Sequence, residues 1–299
     1  ITMIGRYIPK PVIRGVQLST GVLLVTQGVK LMLGTSKFQA LRDAAEPYLS
    51  IQSLGPIPVG LIIGGILGIL TLLLLENRRL PAALVVVGAG LFTGIFLGTR
   101  EGLAQIRLGF YLPDWFPYGL PSAADFSFAL LVLVLPQIPM TLGNAVVANA
   151  DLSKQYFPKE GRRVTYRALC ISMALANLMS FFLGGMPMCH GAGGLASRYR
   201  FGARTGGSNL IIGAVFIVLA LFLGEHLMGV IYLLPMAALG VLLIFAGAQL
   251  SLTLLDMNTR KELFIPILIV GITLASNLAA GFLVGIAVAY ALKSEKLNI

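Results

Sequence analysis

The sequence predicts an all-α polytopic membrane protein with about ten membrane helices, some of them broken or half-length. Of its 299 residues, 57% are hydrophobic and only 11% are charged, which is too apolar for a soluble domain of this size. Several of the apolar runs are shorter than the roughly 20 residues that a bilayer requires. Such short or interrupted spans are tolerated only where protein covers the backbone or where the backbone lines a cavity.

The apolar runs define the expected spans in chain order. They lie at 15–34, 57–75, 82–98, 126–149, 164–183, 208–224, 227–250, 263–275 and 277–292, with a short restarted helix at 188–200. Glycines 60, 64 and 68 repeat every four residues in the second span, a spacing that lets another helix approach closely. We interpret that stripe as helix packing.

Membrane topology explains the formal net charge of +10 better than nucleic acid binding does. The basic residues fall in the connections between spans and form no surface interleaved with aromatic residues. If Arg6, Lys10 and Arg14 face the cytoplasm and each span crosses once, most of the 22 Lys and Arg lie on the cytoplasmic side. The exceptions are Lys30, Lys37, Arg42, Arg100 and Arg107. The positive-inside rule then places the C-terminus in the cytoplasm.

The first span contains two glutamines, Gln17 and Gln27, within an apolar run. Hydrogen bonds between helices are the favoured interpretation, and a role in transport is the alternative. Neither Cys170 nor Cys189 fits a disulfide framework or a metal motif, so no cofactor or bound metal is expected.

The span at 126–149 is predicted to be broken near its middle. Pro136 and Pro139 remove two backbone donors within four residues and free carbonyl groups there. Gln137, Thr141 and Asn144 follow at spacings that can share one helical face. These side chains either coordinate an oxyanion or a co-transported ion, or they satisfy the freed backbone, and both interpretations stay open.

A second break is predicted in the stretch 184–203, GGMPMCHGAGGLASRYRFGA. Gly184, Gly185 and Pro187 end the preceding helix, and the later glycines let backbone N–H groups approach a ligand. If a helix restarts there at bilayer depth, its first free N–H groups and the positive end of its dipole point into a cavity, which is an anion site. The expected binding residues are Cys189, His190, Gly191, Ala192, Gly193 and Gly194.

His190 is the one ionisable residue at the centre of either break. An ionisable group at membrane depth is a functional candidate, whereas a neutral histidine that donates to a carbonyl is the ordinary alternative. Asp125 and Asp151 flank the membrane, so no central carboxylate is expected. Cys189 is more simply a small packing residue.

The two broken stretches resemble the signature stretches of the molybdate transporter family of plants and microbes, a branch related to the sulfate permeases. The resemblance is carried by PQIPMTLGNAVVA at 136–148 and by GGMPMCHGAGGLASRYRFGARTG at 184–206. The second is the more specific, because Cys-His-Gly-Ala-Gly-Gly is a rare combination and Tyr-Arg-Phe-Gly follows it. The similarity extends across essentially the whole chain.

The resemblance implies part of a seven-plus-seven inverted-repeat transporter fold, with a core domain that moves against a gate domain. It assigns 1–98 to the gate helices of the first repeat, 126–224 to the core of the second repeat and 227–299 to the gate of the second repeat. The span count fits the last three spans of the first repeat and all seven of the second. The half-helix of the first repeat is therefore expected to lie outside this sequence.

The function expected from the resemblance is secondary active transport of a tetrahedral oxyanion, with molybdate first and sulfate second. A proton or cation would couple the transport, the plasma (inner) membrane would hold the protein, and a homodimer is left open. The alternative is an anion channel or a non-transporting membrane scaffold, which saturable uptake would exclude. An enzyme is not expected, because the sequence contains no H-E-x-x-H, G-x-S-x-G or P-loop pattern.

Overall fold

The computed structural model is mostly helical, which confirms the predicted helical class. It describes residues 8–75, 77, 80–98, 107–134, 137–138 and 141–292, without the side chains of residues 132, 225, 228 and 231. The chain divides into two compact units. The first comprises 1–23, 113–196 and 247–299, and the second comprises 24–112 and 197–246. The division into gate and core domains stays a prediction.

The helices of the described residues follow one another in chain order. They are α1 (Lys10–Leu33), α2 (Lys37–Leu41), α3 (Val59–Leu74), α4 (Ala82–Leu97), α5 (Ala123–Phe128), α6 (Asn149–Tyr156), α7 (Tyr166–Phe182), α8 (Ala192–Arg200), α9 (Gly207–Leu223), α10 (Leu227–Ile231), α11 (Met236–Ser251), α12 (Arg260–Ala275) and α13 (Leu278–Ala291). Two π-helical segments, Ala129–Val134 and Thr141–Ala148, follow α5 and precede α6. Three 3₁₀ segments lie at Glu160–Arg163, Gly224–His226 and Leu252–Asp256.

Among the described residues, two helical stretches are long and apolar enough to cross a membrane. They are Lys10–Leu41 and Met236–Asp256, and five further apolar helices are 10–17 residues long. A short hairpin, β1 (Ser53–Leu54) paired with β2 (Ile57–Pro58), departs from the all-α prediction. Gly55, with φ of 62°, adopts the left-handed conformation that its turn requires.

The prediction of one continuous span at 227–250 is wrong. The structure divides it into α10 and α11, and residues 232–235 between them are not helical. Pro235 explains the division, because its ring disfavours helical geometry in the preceding residue while proline is well suited to the start of a helix. An apolar run alone does not reveal this interruption.

The first unit is built around an apolar cluster that includes Val12 of α1, Leu152 of α6 and Ile269 of α12. Helices α12 and α13 approach closely at glycines. A Cβ atom added at Gly285 would lie 2.4 Å from Cδ1 of Ile269, and one added at Gly281 would lie 2.5 Å from Oγ1 of Thr273. A residue with a Cβ atom at either position would force its neighbours to shift, so the two glycines allow this close packing.

The second unit packs α3, α4 and α11 against the end of α1. Its buried cluster is formed by Leu67, Val86, Ala238 and Val241, with Met32 packed against it. Glycines 60 and 64 of the predicted stripe contact Met32, whereas a Cβ atom added at glycine 68 meets nothing within 4 Å. The helix-packing interpretation thus holds for the first two of the three glycines.

Candidate functional site

The break predicted at 184–203 is present, but its second helix begins later than expected. Helix α7 ends at Phe182, and Gly184 follows with φ of 64°. Residues 185–191 have no regular secondary structure, and α8 begins at Ala192 rather than at the predicted residue 188. The helix begins later because side chains of α7 form hydrogen bonds with backbone groups of the irregular segment.

Polar side chains of α7 hold this segment against the helix through hydrogen bonds. Ser180 Oγ donates to the carbonyl of Met186 at 2.8 Å. Asn177 Nδ2 donates to the carbonyl of Met188 at 2.7 Å, and Asn177 Oδ1 accepts from the backbone N–H of Met188 at 2.8 Å. The segment therefore runs antiparallel to α7, and the backbone groups that a helix would need at Met188 are already bonded elsewhere.

His190 also contacts α7, nearer to the start of that helix. Its Nε2 lies 2.8 Å from Ser172 Oγ, and the tautomer of the imidazole decides which group donates. Ser172 is six residues into a helix of 17, so His190 lies about 9 Å along a helix about 25 Å long. The break consequently places α8 near the middle of the depth that α7 spans.

The first turn of α8 has backbone N–H groups that find no acceptor within the helix. The carbonyl of Gly191 accepts from the N–H groups of Gly194 at 3.1 Å and Leu195 at 3.4 Å. The N–H groups of Ala192 and Gly193 belong to the first turn, where α-helical geometry supplies no acceptor. A Cβ atom added at Gly191 or Gly194 would meet nothing within 4 Å. This arrangement suits an anion that approaches the start of the helix.

The remaining predicted residues of this stretch differ in exposure. Ala192 is fully buried and belongs to the apolar cluster of the first unit. His190, Gly191 and Gly193 are half-buried, and Cys189 is exposed with a free thiol.

The other predicted wall is described only in part. Pro136 and Pro139 lie outside the described residues, so the predicted double-proline break does too. Gln137 is helical and exposed, and Thr141 is half-buried at the start of a π-helical segment. Asn144 is half-buried as well, and its Oδ1 atom is buried without a hydrogen-bond partner in the described part of the chain. π-Helical segments are rare and often mark functional sites.

A residue that the sequence analysis missed joins the two stretches. Asn149 Nδ2, at the start of α6, donates to the carbonyl of His190 at 3.4 Å. Ser172, Asn177 and Ser180 were also missed, although polar side chains spaced five and three residues apart in an apolar helix were the available signal. Asn177 and Ser180 bind backbone groups of a distant segment and Ser172 contacts the His190 imidazole there, and the sequence alone does not identify these partners.

A charged cluster lies beside α6, contrary to two expectations. Arg14 was placed among the cytoplasmic charges before the first span, yet it lies within α1 and is 1% exposed. Asp151 was placed in a connection, yet α6 extends through it to Tyr156 and Asp151 pairs with Arg14. The sequence did not reveal that α1 includes Arg14 or that α6 includes Asp151, because each residue lies just outside a long apolar run. Gln17, by contrast, donates to the carbonyl of Ala148 at 3.2 Å, as the interhelical interpretation predicted.

The second unit contains a buried carboxylate that the sequence analysis did not identify. Glu46 is 1% exposed, and its two oxygens accept from the N–H groups of Met236 and Ala237, each at 2.8 Å. Burial raises the pKa of Glu46 to about 7, although the two backbone donors oppose that rise. The carboxylate therefore caps the start of α11 from a distant connection.

Comparisons with known proteins relate the chain to molybdate transporters. A family model described as "Molybdate transporter of MFS superfamily" matches residues 129–250. Molybdate transporter 2 of Arabidopsis thaliana is 30% identical over 319 residues, which cover 97% of this chain and 67% of that protein. Molybdate transporter 1 of the same plant is 28% identical over 314 residues, 95% of this chain and 65% of that protein.

An algal protein is similar over a shorter region. Molybdate transporter 1 of Chlamydomonas reinhardtii is 37% identical over 214 residues, which cover 70% of this chain and 40% of that protein. The chain thus spans about two thirds of the length of the plant relatives and a smaller share of the algal one.

Proposed function

The chain belongs to the molybdate transporter family, and from this premise we propose that it forms part of a secondary active transporter for a tetrahedral oxyanion. Molybdate is the first candidate substrate, because the similar plant and algal proteins are named for it. Sulfate is the second candidate, since it has the same shape and charge and differs mainly in size.

The observation that carries this proposal is the start of α8. A Cβ atom added at Gly191, just before the helix, would meet nothing within 4 Å, and the break lies near the middle of the depth of α7. N–H donors at a helix start bind a dianion without a buried cation, and hydrogen bonds to a charged acceptor are stronger than neutral ones. Molybdate would therefore be held by the amides of residues 189–194.

Asn144 supplies the second wall in this proposal, together with Thr141 and Gln137. The amide oxygen of Asn144 is buried and has no hydrogen-bond partner among the described residues, and the oxygen and nitrogen of an amide exchange places when the group turns over. In the turned orientation Asn144 donates an N–H group to the oxyanion. Asn149 holds this wall to the α8 stretch through His190.

Transport in this proposal occurs by alternating access. The core at 126–224 carries the anion and moves against gate helices at 1–98 and 227–299, within a seven-plus-seven inverted-repeat fold that includes further helices. A proton or cation couples the movement, and the plasma membrane is the proposed location with the C-terminus in the cytoplasm. The apolar side chains exposed on α9, such as Leu210 and Phe216, suit contact with lipid or with further apolar protein.

The test is molybdate binding by the purified full-length protein, measured by calorimetry for the parent and for Gly191→Val. The added side chain would occupy the open space before α8, so binding should be abolished while the protein still inserts and folds. Gly213→Val is the matched control, because a Cβ atom there also meets nothing within 4 Å. Unchanged binding in Gly191→Val would place the anion elsewhere.

Uptake kinetics separate this proposal from a channel or a scaffold. A transporter gives saturable molybdate uptake that sulfate inhibits by competition. Uptake that rises linearly with molybdate concentration, or no uptake above that of empty vesicles, would contradict the proposal.

A further inference from the structure

We propose that Arg14, Asp151 and Asp256 form a latch that closes one side of the transporter, and that the contact between Arg14 and Asp151 breaks during each cycle. The inference rests on the proposed alternating-access function. All three residues lie at helix ends that the predicted topology places toward the cytoplasm, so the latch closes the cytoplasmic side.

The two carboxylates hold Arg14 unequally. Asp256 is bound twice, by Nε to Oδ1 at 2.8 Å and by Nη2 to Oδ2 at 2.6 Å. Lys10 Nζ adds a third contact to Asp256 at 3.0 Å. This two-point geometry is the strong form of an arginine–carboxylate pair, so Arg14 and Asp256 stay together.

Asp151 is held by fewer bonds from Arg14. It accepts from the single group Nη1, and its other described donors are the amides of Gln155 at 3.1 Å and Gln17 at 3.5 Å. Nη1 also donates to Gln17 Oε1 at 2.9 Å, so it keeps a partner when Asp151 leaves. Arg14 and Lys10 balance the two aspartates in the closed state, and departure of Asp151 leaves one positive charge uncompensated. The closed state is therefore favoured until anion binding moves α6.

Helix α6 connects the latch to the anion site. Asn149 binds the carbonyl of His190, and Asp151 binds Arg14 two residues later. Residues two apart lie on nearly opposite faces of an α-helix, about 3 Å apart along its axis. A small movement of α6 caused by the anion thus acts directly on the contact with Arg14. By the predicted domain assignment Asp151 belongs to the core, whereas Arg14 and Asp256 belong to the gate.

The experiment measures hydrogen–deuterium exchange of the full-length protein in a lipid nanodisc, for the parent and for Asp151→Asn. Amides in 10–17 and 149–156 should exchange faster by about fivefold or more, the lower end of typical coupling between sites. Amides in α7 should not change. Asp125→Asn is the matched control, because Asp125 is an exposed capping carboxylate in the same unit. Asp151→Glu keeps the charge and should restore most of the protection.

The outcomes distinguish the latch from the proposed function. Unchanged exchange in Asp151→Asn, or faster exchange that extends equally to α7, would overturn the latch, because the cluster would then be inert or hold only the fold. In a parent protein that binds molybdate, Asp151→Asn should lower the apparent Kd, because an anion whose binding breaks the latch binds more tightly when the latch is already broken. A parent protein that binds no molybdate but shows the localised change would support the latch and contradict the proposed substrate.

Discussion

At the scale of single residues, the site depends on the amide of Asn177. This one side chain satisfies both the N–H and the carbonyl of Met188, and so fixes the segment that leads into α8. Asn177→Leu keeps a similar volume but removes both hydrogen bonds, each of which contributes about 0.5–1.5 kcal/mol. We expect weaker molybdate binding and a lower melting temperature. Calorimetry and thermal unfolding measure the two effects. Values like those of the parent for both would show that the hydrogen bonds from Asn177 to Met188 are dispensable.

Asn144 provides a more local test of the second wall. Asn144→Leu removes the proposed donor to the oxyanion and should weaken binding by about 1.5–3 kcal/mol, the contribution of a hydrogen bond to a charged group. Because Oδ1 has no partner within the described structure, the substitution removes none of the described side-chain hydrogen bonds, and stability should change little. An unchanged dissociation constant would return Asn144 to a structural role.

His190 tests whether protonation is coupled to anion binding. A protonated imidazole attracts a dianion, so anion affinity should increase as the pH falls and a proton should be taken up on binding. His190→Gln keeps a hydrogen-bonding group near Ser172 Oγ but does not titrate. The measurement is the dissociation constant against pH for both proteins. Identical pH dependence would mean that His190 only forms part of the wall.

At the scale of elements, the sequence predicted the break within 184–203 better than it predicted the start of the helix that follows it. Gly184 and Pro187 correctly located the end of α7, because both act on the local backbone. The start of α8 at residue 192 depends on bonds from Asn177 and Ser180, and such distant partners are not visible in a local pattern. The same limit applies to Asp151, which the sequence assigned to a connection and the structure includes in α6.

The burial of Glu46 makes the stability of the second unit depend on pH. Burial raises the pKa of Glu46 from 4.5 to about 7, so the folded protein binds this proton more tightly than the unfolded chain does. The free energy of unfolding should therefore fall as the pH rises from about 4.5 to about 7, by at most about 3 kcal/mol, and stay constant above.

Thermal unfolding across this pH range, for the parent and for Glu46→Gln, measures the contribution of Glu46. The variant should lose the pH dependence in this window. It should also be less stable at low pH, because its amide nitrogen would face an N–H donor of α11. The same slope in both proteins would assign the pH dependence to another group.

At the scale of the whole molecule, composition and apolar runs were sufficient to predict a helical membrane protein. They did not predict the buried charges of Arg14 and Glu46, because a charge near a helix end has the same sequence pattern whether it faces water or packs inward. The partners that make their burial tolerable, Asp256 and the start of α11, lie about 190 or more residues away in sequence.

The start of α8 is the proposed binding site of the anion. Anomalous X-ray diffraction at the molybdenum edge, from crystals of the full-length protein grown with molybdate, locates that atom directly. We expect an anomalous peak beside Gly191, with oxygens of the anion within hydrogen-bonding distance, about 2.7–3.2 Å, of the N–H group of the half-buried Gly193. A well-occupied peak elsewhere in the protein, with the start of α8 empty, would contradict the proposed site.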